Sequence, residues 1–353
     1  MQVCMKNMSL ILAYWTQPTS ILRVAFTITK NIQKTGTASL KVMKKLKINF
    51  VDFWPNFLKE DNYFYHLLSR EFDVVIDERD PDLLFFSADY NKVSERDRFV
   101  NHRCKKIFFT GEGVAPNFDG PLSIETQNYS VGQCDYAFSF EHSNDRNYRL
   151  PLWVLFINWF KVPHINDRDI SFLTCVDDLL RPPPQYPKSK FCNFVFSNPS
   201  GERTSILEAL QRYKNVDCAG ALHNNMPNGW KVQGRGDQKE KVLFLSDYKF
   251  TIAAENQKRD GYTTEKIFHP LSVGSIPIYW GSESVNHDFN PQRFINADKF
   301  ASYDELAQEV FRIDENENSY KEITSQPIFT NNEIPSFAQP ESVLTFFKET
   351  ILQ

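Results

Sequence analysis

The chain has no apolar run of the roughly 20 residues needed to cross a bilayer. Met8–Trp15 and Ile21–Ile28 near its start fall far short of that length. It also lacks the ordered charged, apolar and small-residue regions of a secretory signal. Its six cysteines, at 4, 104, 134, 175, 192 and 218, include no Cys-x-x-Cys pair, so neither a zinc ribbon nor a dithiol redox motif is indicated. Without a secretory signal they read as reduced thiols in a cytosol, which gives a cytoplasmic expectation. The seven histidines form no HExxH or HxH cluster, so no metal site is expected. Basic residues show no surplus: 40 Lys and Arg face 44 Asp and Glu, a formal net charge of -4. That balance argues against a general nucleic-acid binder. Internal repeats and low-complexity tracts are absent.

What remains is a globular composition, 41% hydrophobic and 24% charged, over 353 residues, enough for two ordinary domains. Residues 1–42 read as a poorly specified leader or an over-extended gene start; an amphipathic segment in peripheral contact with a membrane surface is the alternative. From there the pattern is that of alternating strands and helices, which predicts an α/β fold with parallel sheets. Strands are predicted at 47–53, 73–77, 83–87, 105–110 and 136–140, with a helix over 56–72. Residues 151–190, with Pro182, Pro183, Pro184 and Pro187, read as a connection with little periodicity. A second α/β pattern follows: strands at 191–197, 250–254 and 276–280, and helices at 202–213, 239–245 and 264–273. Pro270 should end or kink the last helix, and Gly274 should stop it. The resulting division is 43–160, 161–190 and 191–353, with a ligand cleft between the two larger parts.

Several residues could carry chemistry. Arg203 and Lys266 each fall in the first turn of a predicted helix, where a cation opposes the helix dipole. A solvated charge explains either one alone. Together they suit two helix N-termini aimed at one anion, the arrangement a nucleotide pyrophosphate needs. Glu265 is a favourable first-turn carboxylate or an acceptor for sugar hydroxyls. Asn256 ends a predicted strand, where open α/β sheets bind ligands. Tyr262 either packs in the core or offers its hydroxyl to a ligand. Glu112, between Gly111 and Gly113 after a strand, either bonds within its turn or serves as a general base. Asp77, Asp80 and Asp82, and the pair Asp177-Asp178, read as charged loops rather than metal ligands.

The sequence resembles the α1,3/α1,4-fucosyltransferase family, most closely its bacterial members. The carrying segments are Phe250-Thr251-Ile252-Ala253-Ala254-Glu255-Asn256, Gly261-Tyr262-Thr263-Thr264-Glu265-Lys266 and Ile276-Pro277-Ile278-Tyr279-Trp280-Gly281-Ser282. Phe196-Ser197-Asn198-Pro199 with Arg203, Thr110-Gly111-Glu112 with Asn117-Phe118, and Tyr148-Arg149-Leu150-Pro151-Leu152 add support by order and spacing. The resemblance implies a GT-B fold of two Rossmann-like domains, the first (43–160) binding the acceptor and the second (191–353) holding GDP-β-L-fucose. It implies inverting transfer to the 3-hydroxyl, or the 4-hydroxyl, of N-acetylglucosamine in a lactosamine-type acceptor, giving Lewis-type products such as those on a lipopolysaccharide O-antigen.

By the same resemblance, Glu112 is the general base, and Ser197, Asn198, Arg203, Asn256, Tyr262, Glu265 and Lys266 hold the donor, with Glu265 also steadying the reacting sugar. No cofactor or metal is required, a divalent ion serving at most as a stimulant, since cations of the chain stand at the leaving group. Ala254 stands where the family often has an aromatic, and Gly113 where it commonly has Asn. The heptad repeats and basic tail of some bacterial relatives are missing, so coiled-coil dimerisation is not supported. Two other readings stay open: a GT-B transferase for another nucleotide sugar, and a non-catalytic carbohydrate-binding protein of the same fold.

Overall fold

A computed structural model describes residues 43–87, 95–113, 134–161, 173–181, 188–232 and 238–353. The expectations for residues 1–42, for Asn117 and Phe118, and for the prolines at 182–184 and 187 lie outside the described residues.

Six short strands build the first sheet: β1 (Lys44–Val51), β2 (Phe72–Ile76), β3 (Leu83–Phe86), β4 (Lys105–Phe109), β5 (Tyr136–Ser139) and β6 (Asn147–Arg149). They are hydrogen-bonded in the order β2-β1-β3-β4-β5-β6, every pair parallel. A parallel strand is covered on both faces, which is why the Leu-Leu-Phe-Phe run of β3 is buried throughout. Helix α1 (Tyr63–Leu68) occupies only the later part of the stretch predicted as helix over 56–72. Asn56 sits at φ 67 and so cannot continue a helical turn. The Asn62 side chain then accepts from the Tyr65 N–H at 3.0 Å and starts the helix there.

After β6 the chain does not run out as an open connection. A 3-10 turn at Leu152–Phe156, the two-residue strands β7 (Ile157–Asn158) and β8 (Thr174–Cys175), and helix α2 (Val176–Leu180) follow. Trp153, Val154 and Leu179 join the main hydrophobic core, so the described residues of this stretch include packed structure despite its weak periodicity.

The second sheet consists of β9 (Lys190–Phe194), β10 (Val216–Cys218), β11 (Tyr248–Ala254), β12 (Ile276–Trp280) and β13 (Ile295–Asn296), parallel in the order β10-β9-β11-β12-β13. Helices α3 (Gly201–Gln211), α4 (Gln238–Leu245) and α5 (Glu265–Ser272) lie between these strands, and α6 (Tyr303–Glu315) and α7 (Glu317–Thr324) follow them. Pro270 does not end α5, which runs on to Ser272. Gly274, at φ 76, stops it with its N–H on the Leu271 carbonyl.

The end of the chain departs from the sequence-based division that gives 191–353 to the second half. Helix α8 (Pro340–Phe346) and the turn after it return to the first sheet. Phe347 stacks on Phe138 with ring centres 4.9 Å apart, and the Tyr136 hydroxyl donates to the Thr350 carbonyl at 3.1 Å. One core cluster therefore runs from Leu46 to Ile351 and includes Ala253, Ile267, Phe268 and Tyr279 of the second half.

Candidate active site

The carboxyl ends of β9, β11 and β12 open into the loops that carry the candidate residues. Ser200 caps α3, its hydroxyl accepting from the Arg203 N–H at 3.3 Å. Ser197 and Asn198 lie exposed just before it. Arg203 is not a solvated charge: it is 2% exposed, with its guanidinium 4.4 Å above the Phe196 ring. It donates to the Ala254 carbonyl from Nε and Nη2, to the Asn198 carbonyl at 3.1 Å and to Asn256 Oδ1 at 2.6 Å. Its charge thus locks the β9–α3 turn to the end of β11. Burial pulls its pKa below the ordinary arginine value against the opposing pull of Glu255.

Glu255, to which the sequence pattern assigns no role, is the buried centre of the site. It is fully buried and accepts from the Thr264 N–H at 2.8 Å and the Thr264 hydroxyl at 2.7 Å. Thr264 in turn caps α5. Lys266 Nζ lies 3.4 Å from Glu255 and 3.7 Å from Glu265, and Glu265 also faces Lys241 of α4 at 3.6 Å. Charges therefore alternate along the row Lys241, Glu265, Lys266, Glu255. Burial works against ionised Glu265, but Lys266 and then Lys241 outweigh it and hold the carboxyl well below the usual range. Burial likewise opposes the Lys266 ammonium, which Glu265 and Glu255 restore and raise above the ordinary lysine value. Glu255 shifts upward because burial exceeds the pull of Lys266. Arg203 of α3, on the Ala254 carbonyl, and Thr264 at the start of α5, on the Glu255 carboxylate, thus both close on the end of β11.

His269 lies one turn beyond Glu265 on α5. Its ring is buried 4.8 Å from Phe156 with both nitrogens unpartnered. Burial, then Lys241, pushes its pKa down to about 3.

Tyr262 packs rather than standing exposed. It is 2% exposed, edge-on to Phe140 of the first half at 5.2 Å, in a cluster with Val51, Leu84 and Phe108. Glu112 comes from the other side of the same contact. Its N–H donates to the Thr110 hydroxyl at 3.0 Å, and a β-carbon on the next residue, Gly113, would stand 3.3 Å from both Tyr262 and Gln257. A β-carbon here would be a tight contact, so glycine eases the close approach of the two loops. The Glu112 charge helps to raise the pKa of both Tyr262 and Lys266. The structure thus brings Glu112 to the donor loop.

The loop is fixed by a clamp that spans both halves. Arg149, at the end of β6, donates to Asp288 at 2.9 and 3.0 Å and to the Gly261 carbonyl at 3.0 Å. Trp153 Nε1 also donates to Asp288 at 3.1 Å, and the Thr263 hydroxyl does so too. On its other side Gly261 gives its N–H to the Ser282 and Ser284 hydroxyls. Gly261 has φ 78, and a β-carbon there would lie 2.3 Å from the Phe140 carbonyl oxygen, so the position demands glycine on both counts. Sequence reasoning gave no role to Arg149, Asp288, Lys241 or His269. The available signal was a charge set in an apolar run, as in Tyr148-Arg149-Leu150-Pro151-Leu152-Trp153.

Asp77, Asp80 and Asp82 lie in a loop, as expected, whereas Asp177 and Asp178 are not a loop but the first turn of α2, where carboxylates suit the helix dipole. Asp77 and Asp80 pair with Lys47, and Asp178 with Arg181. Among the described residues no three His, Cys, Asp or Glu side chains gather as a metal set, and no helix is long and apolar enough to cross a membrane.

Comparison with known proteins settles the family. Residues 48–156 match the model of the alpha-(1,3)-fucosyltransferase FucT N-terminal domain, and residues 186–325 match that of the glycosyltransferase family 10 (fucosyltransferase) C-terminal region. The chain belongs to glycosyltransferase family 10. Among curated family relatives, alpha-(1,3)-fucosyltransferase FucT of Helicobacter pylori is 30% identical over 342 residues, covering 87% of this chain and 66% of the relative. The chain thus spans about two thirds of that relative's length. An alpha-(1,4)-fucosyltransferase of Arabidopsis thaliana is 41% identical over 78 residues, 22% of this chain and 20% of the relative. A solved alpha1,3-fucosyltransferase with GDP-fucose superposes with a TM-score of 0.63 at 25% identity, covering 92% of this chain and 94% of that one. The two facing parallel-sheet units of this family member are therefore a GT-B fold.

Proposed function

We propose that the protein is an inverting fucosyltransferase that moves L-fucose from GDP-β-L-fucose to the 3-hydroxyl of N-acetylglucosamine in a lactosamine-type acceptor. The observation that carries this reading is the meeting of Glu112 with the donor loop. The Glu112 charge of the first half acts on Tyr262 and Lys266 of the second, beside the close approach of Gly113 to Tyr262 and Gln257. The family match and the likeness to a GDP-fucose-bound structure support the choice of donor.

In this mechanism Glu112 takes the proton from the acceptor hydroxyl as that oxygen attacks the anomeric carbon in line. The α5 N-terminus and Lys266 stabilise the charge that develops on the departing diphosphate. Arg203 acts from beneath, holding Asn256 and the β9–α3 turn in place. Glu265, kept ionised by Lys241 and Lys266, faces the positive charge that grows on the sugar ring. Charge neutralisation by these cations is proposed to make a metal dispensable. The 4-hydroxyl as the site of transfer, Lewis-type products on a lipopolysaccharide O-antigen, a cytoplasmic location and a peripheral membrane contact belong to the same proposal. The test is linkage analysis of the product formed from GDP-fucose and the two lactosamine isomers. Transfer from UDP-sugars or other GDP-sugars but not from GDP-fucose overturns the donor, and absence of any transfer overturns the enzyme.

A further inference from the structure

One apolar surface of the first half has no part in the site described above. It lies in the turn after β1, where Phe53, Trp54, Phe57 and Leu58 surround Pro55. Leu58 is 52% exposed, and Trp54 and Phe57 are partly exposed while resting on the core. We propose that Trp54, Phe57 and Leu58 form the platform on which the acceptor saccharide rests its apolar face, a reading that rests on the fucosyltransfer activity above.

The sheet register places this turn beside Glu112. Val51 is level with Phe86, and Phe86 with Phe108, so the loops after β1 and β4 leave the same edge of the sheet. They stand two strand spacings apart, roughly 10 Å. Phe53, one residue before Trp54, lies parallel to Phe109, three residues before Glu112, with ring centres 6.3 Å apart and planes 6° apart. The turn is also held rigidly. Asp52, at φ 57, accepts from the N–H groups of Glu95 and Arg96, and Phe57 N–H donates to the Trp54 carbonyl at 3.2 Å. The Asn62 amide closes on the Leu58 and Lys59 carbonyls at 2.9 and 3.0 Å.

Inside the turn, Phe57 stacks on Phe53 at 4.2 Å and stands edge-on to Trp54 at 5.1 Å. Aromatic side chains held in place in advance lose little freedom when a ligand covers them. An apolar wall with a single polar reacting group beside it matches the usual make-up of a small-ligand site. A pyranose ring, with C–H groups on one face and hydroxyls around its rim, fits that combination: its C–H face lies on the aromatics and one hydroxyl points to Glu112.

The experiment compares Trp54→Ala and Leu58→Ser with the unaltered protein in fucosyl transfer to an N-acetyllactosamine glycoside. GDP-fucose binding, read by the thermal shift it induces, reports fold integrity. Leu243→Ser, on the exposed face of α4 in the other half, serves as a surface control. The expected result is an acceptor KM raised about tenfold by Trp54→Ala and severalfold by Leu58→Ser, from lost aromatic and apolar contact. Trp54→Phe should restore most of it, and Leu243→Ser should leave it unchanged. Acceptor KM within twofold of the unaltered protein in both platform variants, with GDP-fucose binding intact, overturns the platform. Failure of the unaltered protein to transfer fucose to any saccharide would be a different result, removing the activity and this assignment together.

Discussion

Replacing Arg149 with Met should be among the most damaging single changes in the chain. The Arg149 side chain is 8% exposed and Asp288 is fully buried, joined by bonds of 2.9 and 3.0 Å. Removing the cation leaves an uncompensated carboxylate in the interior, at a cost of about 3–5 kcal/mol. Two charge-assisted bonds at about 1.5–3 kcal/mol each give the same range. Total stabilities run from about 5 to 15 kcal/mol, so the loss is a large fraction. Because Arg149 also holds the Gly261 carbonyl, GDP-fucose affinity should fall with stability. The assay is urea unfolding of the unaltered protein, Arg149→Met, Asp288→Asn and the double variant. Asn can still accept from Trp153 and Thr263, so the double variant should be about 1–2 kcal/mol more stable than the two single losses predict, since no buried charge is left alone. A coupling below about 0.5 kcal/mol would refute the reasoning, because groups in direct contact should depart from additivity by more than that.

Other expected outcomes follow from the same geometry. Glu112→Gln should lower turnover about 100- to 10,000-fold while GDP affinity stays within a few-fold, measured by steady-state kinetics and calorimetry; near-normal turnover would exclude it as the base. Folded His269 stays neutral down to about pH 3, whereas the unfolded chain protonates it near 6.5. The unfolded state therefore binds the extra proton in that window, and stability falls as pH falls, by about 1.4 kcal/mol per unit from this group. His269→Leu should flatten the unfolding profile between pH 6 and 4 by that slope, and an unchanged profile would sink the assignment. Gly261→Ala should cost well over about 1 kcal/mol, from left-handed backbone strain and collision with the Phe140 carbonyl, and should weaken donor binding in a thermal-shift titration.

The longer strands are readable because each declares itself locally, whereas β6, β10 and β13, of three, three and two residues, are too short to show a pattern. Leu83–Phe86 is an unbroken apolar run, and Phe250–Ala254 and Ile276–Trp280 end where polar residues begin. The first helix was overextended because Phe57 has helical spacing with Phe64, while the left-handed backbone at Asn56 and the cap at Asn62 are set by local hydrogen bonds that periodicity does not report. The donor loop was legible as a set of residue types, but its inner wiring was not. Arg203 looked like a surface cation opposing a dipole, and only the placement of Phe196 and the Ala254 carbonyl shows why it is buried. Arg149 and Asp288 are 139 positions apart, and nothing local in either marks the other as its partner. The return of the chain end was hidden for the same reason, since Phe347 is an ordinary apolar helix residue until the first sheet receives it.

That return sets the order in which the molecule can be completed. Phe347 lies against Phe64, Phe85 and Phe138, and the Tyr136 hydroxyl waits for a carbonyl 214 positions further along. During synthesis the first half emerges with a gap in its apolar layer, and the gap stays open until residues beyond 340 have left the ribosome. A nascent first half therefore exposes aromatic surface throughout translation of the second, which makes this interval the natural one for chaperone capture or misassembly. Cutting the chain between its two sheets would give two pieces of which the first still lacks part of its own interior, so the first half is not a self-sufficient folding unit.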